Sequence, residues 1–177
     1  MISAGRILLV PVIVALLAAD TRASRVAAAA VFVAGAATDG LDGYLARRWN
    51  TSTRTGQWLD PLADKALVAA PIVTLVAQDA FPLWAAVLIL GREVAIAALR
   101  VFLGSRGRSM PASLPAKVKT VLQIAAITLY VLPLGPWSGG LRFAALLAAV
   151  AFTMATGLQY VSAALGPADK TPKKAAR

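Results

Sequence analysis

Four of the eight acidic residues of the 177-residue chain lie in one stretch, residues 38–65, which reads TDGLDGYLARRWNTSTRTGQWLDPLADK. They are Asp39, Asp42, Asp60 and Asp64. Carboxylates gathered in one place repel each other, so they need positive charge nearby. The chain contains no histidine and no cysteine. A ligand set made only of oxygens favours a hard divalent cation, with Mg²⁺ first and Mn²⁺ or Ca²⁺ next.

The spacing of the aspartates predicts that they line two helix faces. On a helix over residues 26–47, one face holds Gly35, Asp39, Asp42, Gly43, Ala46 and Arg47. In the next helix, a second stripe with spacing i, i+4, i+8 holds Gly56, Asp60 and Asp64. The small residues on these faces leave room for a ligand or another backbone.

Two helices joined by a short loop are antiparallel neighbours, so the two aspartate stripes are expected to face each other. Four acids suit one metal ion, or two ions that share a carboxylate, and Mg²⁺ usually keeps open positions for phosphate oxygens. Arg47 suits such a phosphate. The alternative is a set of structural ion pairs between the acids and nearby cations. The metal site is favoured, because ionisable residues within membrane spans are functional by default.

The rest of the chain predicts an all-α polytopic membrane protein. Hydrophobic residues make up 59% of the sequence, and long runs such as 67–77, 81–90 and 143–150 carry no charge. Runs of this kind indicate membrane helices. We expect a bundle of six transmembrane helices over residues 7–19, 26–47, 56–78, 81–103, 117–134 and 141–165. The first is short, and we expect it to begin at residue 2 or to lie in thinned bilayer. A signal peptide is the alternative there, but Pro11 and the five later spans disfavour it.

Lysines and arginines concentrate in residues 47–54, 106–119 and 170–177, which predicts that both termini and the aspartate stretch are cytoplasmic. The formal net charge of +10 suits contact with anionic lipid. Nucleic acid is disfavoured as a partner, because the basic residues lie between apolar spans. We expect one membrane domain over residues 1–166 and a disordered basic tail over residues 167–177.

Written as a pattern, the aspartate stretch is D-x2-D-G-x2-A-R-x8-G-x3-D-x3-D. This resembles the signature of the CDP-alcohol phosphotransferases at every defined position. The resemblance implies a multi-pass, homodimeric enzyme of the bacterial cell membrane that binds CDP-diacylglycerol and an acceptor alcohol. It also implies the reaction: the acceptor hydroxyl attacks the phosphorus that carries the lipid, and CMP leaves.

The same resemblance assigns roles to the aspartates. Asp39, Asp42, Asp60 and Asp64 are expected to hold Mg²⁺ or Mn²⁺, with two ions bound. Asp64 is expected to act also as the base that takes the acceptor proton. Physical chemistry agrees, because phosphoryl transfer depends mainly on positioning and charge neutralisation, and a carboxylate among carboxylates is a better base near neutral pH.

The resemblance also implies a site for the CDP-lipid. Arg47 is expected to bind the diphosphate. Gly43, Ala46 and Gly56 are expected to let the nucleotide pack against the backbone.

A second polar region, residues 90–123, bears on the acceptor. Its basic residues include Arg92, Arg100, Lys117 and Lys119. So many cations favour a phosphorylated acceptor, glycerol-3-phosphate or inositol phosphate, over a neutral one such as serine. The alternative is that they are ordinary positive-inside loop residues. The embedded position of Arg92, and the place of Lys117 and Lys119 at the start of a span, favour phosphate binding.

This region resembles the phosphatidylglycerophosphate synthases in particular. An RE…LR segment and an S-x2-G-K-x-K-T-x2-Q segment of that branch match Arg92, Glu93, Leu99, Arg100, Ser113, Lys117, Lys119, Thr120 and Gln123. An R-I…P helix opening matches Arg6, Ile7 and Pro11. Ala116 stands where that branch has glycine, and the resemblance covers most of the chain up to Gln123.

We therefore expect transfer of a phosphatidyl group from CDP-diacylglycerol to glycerol-3-phosphate. Within the family, the alternatives are a phosphatidylinositol phosphate synthase and a cardiolipin synthase. Alternatives of another class are a divalent-cation transporter and a non-catalytic scaffold. A transporter would be supported by inverted repeats, and the sequence shows none.

Overall fold

A computed structural model describes residues 2–49, 56–106 and 114–165, with side chains for 5–38, 65–106, 118–162 and 164. The described residues form six α-helices and one short 3-10 helix, Pro136–Ser138, and contain no strand. The helices are α1 Ile2–Ala18, α2 Arg22–Trp49, α3 Gly56–Ala77, α4 Leu83–Ser105, α5 Leu114–Val131 and α6 Gly139–Leu165. The predicted all-α class is confirmed. The predicted tail, residues 167–177, lies outside the described residues.

Each of the six predicted spans corresponds to one helix, and the ends differ by a few residues. The first helix begins at Ile2, which was one of the two expectations for the short first span. Helix α2 begins four residues earlier than predicted because Thr21 caps it. The Ser24 backbone N–H donates to Thr21 Oγ1 at 3.1 Å, and the Thr21 backbone N–H donates to Ser24 Oγ at 3.0 Å.

Membrane character is supported for one helix by length and hydropathy. Among the described residues, Pro136–Ser162, with a mean hydropathy of 1.7, is long and apolar enough to cross a membrane. Shorter apolar helical segments are Gly5–Ala18, Lys65–Ala77 and Val118–Val131. The arrangement of six membrane spans therefore stays a prediction.

The core lies where the first three helices meet α4, α5 and α6. Its fully buried side chains are aliphatic or aromatic and come from all six helices, among them Ile13, Phe32, Ile72, Ile89, Ile127 and Leu146. Helix α1 packs mainly on α2 and α3, while α6 packs on α4 and α5. Contacts of α2 and α3 with α5, and of α3 with α4, join the two groups of helices.

A close contact at Gly35 sets the register of the first three helices. A Cβ atom built on Gly35 of α2 would lie 3.0 Å from Leu9 Cδ1 of α1 and 3.3 Å from Leu67 Cδ2 of α3. Only a residue without a side chain lets the three backbones approach this closely. The contact therefore brings Leu9, Gly35 and Leu67 to one level of the bundle.

A second contact at one end of the bundle gives the helix directions. Arg25 Nη2 near the start of α2 donates to Gln78 Oε1 just beyond α3, at 3.3 Å, and Gln78 Nε2 donates to the Leu17 carbonyl of α1 at 2.8 Å. Together with the Gly35 contact, these bonds make α2 antiparallel to α3 and α1 parallel to α3. We call this the Gln78 end of the bundle, and the opposite end, where α1 begins, the Arg6 end.

Replacing Gly35 tests the three-helix contact. Gly35→Leu is expected to lower the thermal unfolding midpoint of the detergent-solubilised protein, because the new side chain would overlap Leu9 and Leu67. The cost is about 1–3 kcal/mol of unfolding free energy. The matched control is Gly140→Leu, since a Cβ there meets nothing within 4 Å. Equal unfolding midpoints for the two variants would contradict the contact.

Candidate active site

The four predicted metal ligands lie on two neighbouring helices, Asp39 and Asp42 on α2 and Asp60 and Asp64 on α3. Asp39 follows Gly35 by one helical turn, and Asp64 precedes Leu67 by about one turn. Since α2 and α3 are antiparallel and Gly35 meets Leu67, these backbone positions reach the same level, toward the Arg6 end. Asp42 and Asp60 lie one turn further in the same direction along the bundle. The antiparallel arrangement that the sequence predicts for the two stripes is thus present in the backbone.

The side chains of these aspartates are not among those described. Within the described side chains, no group of three or more acidic residues, histidines or cysteines is placed to hold a metal ion. The predicted metal set therefore stays a prediction. The CDP-lipid site predicted at Gly43, Ala46 and Arg47 of α2 and at Gly56 of α3 also stays a prediction. So does the role predicted for Lys117 in the first turn of α5.

The described part of the predicted acceptor site is a cluster of charges around Glu93. Glu93 Oε1 accepts a hydrogen bond from Arg92 Nη1 at 3.2 Å, and also accepts one from Lys119 Nζ of α5. The Arg92 and Lys119 side chains are 9% and 8% exposed, and Glu93 is 20% exposed. One carboxylate oxygen therefore holds together two largely buried cations from different helices.

Helix α6 closes this cluster on the other side. Arg92 Nη2 donates to Thr156 Oγ1 at 3.2 Å, and Arg100 Nη2 donates to the Tyr160 hydroxyl at 2.8 Å. The Tyr160 ring lies under both arginines, with its centroid 6.0 Å from Arg92 Cζ and 4.9 Å from Arg100 Cζ. The predicted acceptor residues Arg92, Arg100 and Lys119 are thus brought together in the structure.

The charge cluster lies near the aspartate helices. Lys65, the residue after Asp64 in α3, is close enough to Glu93 to act on it electrostatically. On the far side, Gln123 Nε2 of α5 donates to Thr153 Oγ1 of α6 at 3.2 Å, and both residues are buried. Polar contacts therefore join α4, α5 and α6 to one another.

Arg6 of α1 is a further buried cation near the aspartate positions. It is 5% exposed and lies three residues before Leu9. Because α1 runs parallel to α3, its backbone reaches the level of Asp39 and Asp64. The sequence pattern placed Arg6 only in a helix opening and indicated no role for it in the site.

Sequence reasoning also missed the contribution of α6 and the central position of Glu93. Glu93 was noted as part of a matching segment and was not placed in the site. On α6, three polar residues have the helical spacing i, i+3, i+7 in an apolar segment, namely Thr153, Thr156 and Tyr160. That spacing was a visible signal of one polar helix face.

Comparison with known proteins gives the family of the chain. A family model described as CDP-alcohol phosphatidyltransferase matches residues 1–155, and the chain belongs to that family of enzymes. The predicted family and enzyme class are confirmed. The matched region extends beyond Gln123, where the resemblance in the sequence was expected to weaken, and reaches into α6.

Relatives with assigned names are similar along most of their length. A probable phosphatidylglycerophosphate synthase of Mycobacterium tuberculosis is 42% identical over 146 residues, which are 81% of this chain and 68% of that protein. The CDP-diacylglycerol–glycerol-3-phosphate 3-phosphatidyltransferase of Bacillus subtilis is 38% identical over 78% of this chain and 74% of its own. The Escherichia coli protein of the same name is 38% identical over 90% of both chains.

The ion pairs of Glu93 are expected to stabilise the fold. Glu93→Gln leaves two largely buried cations without their anion, so we expect it to lower the unfolding free energy by about 2–3 kcal/mol. The measurement is the thermal unfolding midpoint of the detergent-solubilised protein, with chemical denaturation as a second scale.

Asp20→Asn is the matched control for this change. Asp20 pairs with Arg25 at 2.6 Å but is 60% exposed, so its loss should cost no more than about 1 kcal/mol. Asparagine also tolerates the left-handed backbone at this position, where φ is 47°. An effect of Glu93→Gln no larger than that of Asp20→Asn would mean that the cluster does not stabilise the fold.

Proposed function

We propose that the protein transfers the phosphatidyl group of CDP-diacylglycerol to glycerol-3-phosphate, which releases CMP and gives phosphatidylglycerol phosphate. The observation that carries this proposal is the charge cluster, in which Glu93 pairs with Arg92 and Lys119. Arg100 joins it through Tyr160, whose ring lies near both Arg100 and Arg92. The names of the relatives described above support the same acceptor.

The charge of the cluster matches a phosphate monoester. The cations of the cluster outnumber its carboxylate, so the cluster has a net positive charge. A phosphate monoester carries about −1.5 to −2 near pH 7 and suits such a cluster. Serine has no phosphate, and the phosphate of phosphatidylglycerol is a diester with a single charge. The cluster therefore supports a phosphorylated acceptor over serine, the acceptor of a serine transferase, and over phosphatidylglycerol, the acceptor of a cardiolipin synthase.

Inositol phosphate has the same phosphate chemistry and remains the alternative acceptor within the family. A divalent-cation transporter is the candidate of another class. The sequence disfavours it, because it shows no inverted repeat.

The residues proposed for the metal site are Asp39, Asp42, Asp60 and Asp64, with Mg²⁺ or Mn²⁺ as the ions and two ions bound. Their chemistry fits, because two pairs of carboxylates occupy backbone positions at matching levels of α2 and α3, and the chain offers no thiolate or imidazole in competition. Bound there, such ions would neutralise charge on the diphosphate and on the departing CMP.

The remaining steps belong to the side chains of the chain itself. Arg47 binds the diphosphate, and Gly43, Ala46 and Gly56 leave room for the nucleotide. Arg92, Arg100, Lys117 and Lys119 hold the phosphate of the acceptor. Asp64 takes the proton of the acceptor hydroxyl. The hydroxyl oxygen then bonds to the lipid-bearing phosphorus, and the bond from that phosphorus to CMP breaks. The packing of α3 on α4 and α5 supports this division of labour, because the helix that carries Asp64 lies against the helices of the acceptor cluster.

The proposal includes a setting in the membrane. The six helices span the bilayer of a bacterial cell as a homodimer, with both termini and the site on the cytoplasmic side. The distribution of lysine and arginine along the chain supports this orientation.

An acceptor panel tests the proposed reaction directly. Purified protein with CDP-diacylglycerol and Mg²⁺ is expected to release CMP with glycerol-3-phosphate, and much less with inositol phosphate, serine or phosphatidylglycerol. Removal of the divalent ion with a chelator is expected to abolish CMP release, and added Mg²⁺ to restore it. Release with serine alone would overturn the assignment of the acceptor.

Replacing Asp64 tests the proposed base. Asp64→Asn is expected to lower kcat at least about 100-fold, because a general base contributes roughly 10²–10⁴ to the rate. Asp79→Asn is the matched control: Asp79 lies at the Gln78 end, and asparagine suits its left-handed backbone with φ of 53°. The control should keep kcat within about twofold. Comparable kcat values for both variants would rule out Asp64 as the base.

A further inference from the structure

Helix α6 presents one polar face to the acceptor cluster. Thr153, Thr156 and Tyr160 are buried and follow each other at i, i+3 and i+7. Each makes a hydrogen bond to a polar side chain of α4 or α5, namely Gln123, Arg92 and Arg100 in turn. A face of this kind in an otherwise apolar helix needs a reason, because buried hydroxyls are costly unless they are hydrogen-bonded.

Thr156 holds the guanidinium of Arg92 from the side opposite Glu93. The Thr156 hydroxyl donates its own hydrogen to the Phe152 carbonyl at 2.8 Å, which leaves the oxygen free to accept from Arg92 Nη2. Gly157 makes room for the arginine, since a Cβ atom there would lie 3.3 Å from Arg92 Cγ. Arg92 is thus fixed at both ends of its guanidinium, by Glu93 on Nη1 and by Thr156 on Nη2.

Tyr160 holds Arg100 in two ways. Its hydroxyl accepts from Arg100 Nη2 at 2.8 Å, and its ring faces the same guanidinium at 4.9 Å. Arg100 is otherwise exposed, so a long and mobile side chain is restrained by a buried tyrosine. The same ring lies 6.0 Å from Arg92, which places the two guanidiniums around one aromatic side chain.

We propose that Thr156 and Tyr160 are positioning residues, which fix Arg92 and Arg100 in the orientation that receives the phosphate of the acceptor. This inference rests on the proposed function. Arginine side chains lose much rotational freedom when they bind an anion, and restraining them beforehand reduces the cost of binding. Loss of either contact therefore weakens the binding of the acceptor more than the binding of the CDP-lipid.

The experiment measures KM for each substrate and kcat in Thr156→Val and Tyr160→Phe, using the full-length protein in detergent–lipid micelles. Valine keeps the shape of threonine without the hydroxyl, and phenylalanine keeps the ring. We expect KM for glycerol-3-phosphate to rise about fivefold to tenfold, while KM for CDP-diacylglycerol and kcat stay within about twofold. The inhibition constant of inorganic phosphate, competing with the acceptor, should rise in parallel.

Two further variants separate positioning from general effects on the fold. Thr156→Ser keeps the hydroxyl and should restore KM for glycerol-3-phosphate to near the wild-type value. Thr128→Val is the matched control, because the partly buried Thr128 hydroxyl donates to the Ile124 carbonyl of its own helix at 2.7 Å. It should change neither KM. If Thr156→Val does not fold, Tyr160→Phe decides the question in the same assay.

Two outcomes would overturn the inference. One is an unchanged KM for glycerol-3-phosphate in the folded variants, and the other is an equal rise of both KM values. The wild-type acceptor panel distinguishes these results from failure of the proposed function. Without turnover of a phosphorylated acceptor, the proposed function and the inference fail together. With turnover and an unchanged KM in the variants, the inference alone fails.

Discussion

The close approach of three helices at Gly35 is the constraint on which the candidate site depends. A single position without a side chain lets Leu9 of α1 and Leu67 of α3 both pack on α2, and this contact brings the backbones that carry the four aspartates to matching levels. The bonds of Gln78 to Arg25 and to the Leu17 carbonyl hold the same three helices at the other end. Two separate contacts along antiparallel helices exclude a shift by one helical turn, because a shift would break both of them.

Helices α4, α5 and α6 bury cations among their side chains. Isolated charges are costly to remove from water, and each cation of the cluster has a specific partner. Glu93 forms ion pairs with Arg92 and Lys119. Tyr160 contacts Arg100 through a hydrogen bond to its hydroxyl and through the face of its ring. The result is a cluster in which each cation has a hydrogen-bond, ion-pair or ring partner.

The sequence predicted the helices well and their contacts poorly, for physical reasons. Long uncharged runs indicate helices, so all six were found, and the errors lie at ends such as the Thr21 cap of α2. The eight-position aspartate pattern led to the family, which is confirmed. Thr156 and Tyr160 escaped notice because scattered polar residues hardly change the hydropathy of a long apolar helix. Their partners Arg92 and Arg100 are 64 and 60 residues away, and helical periodicity carries no information at such separations.

The shared oxygen of Glu93 also constrains how this site can change in evolution. Loss of Lys119 alone removes the ion pair that joins Glu93 to α5, and loss of Glu93 alone leaves two largely buried cations without their anion. Substitutions at these positions are therefore not independent, and the effect of one depends on the residue present at the other. Under the proposed function, a change to an uncharged acceptor would require members of the cluster to be replaced together, or would pass through intermediates of lower stability. Acceptor preference would then be a property of the whole cluster.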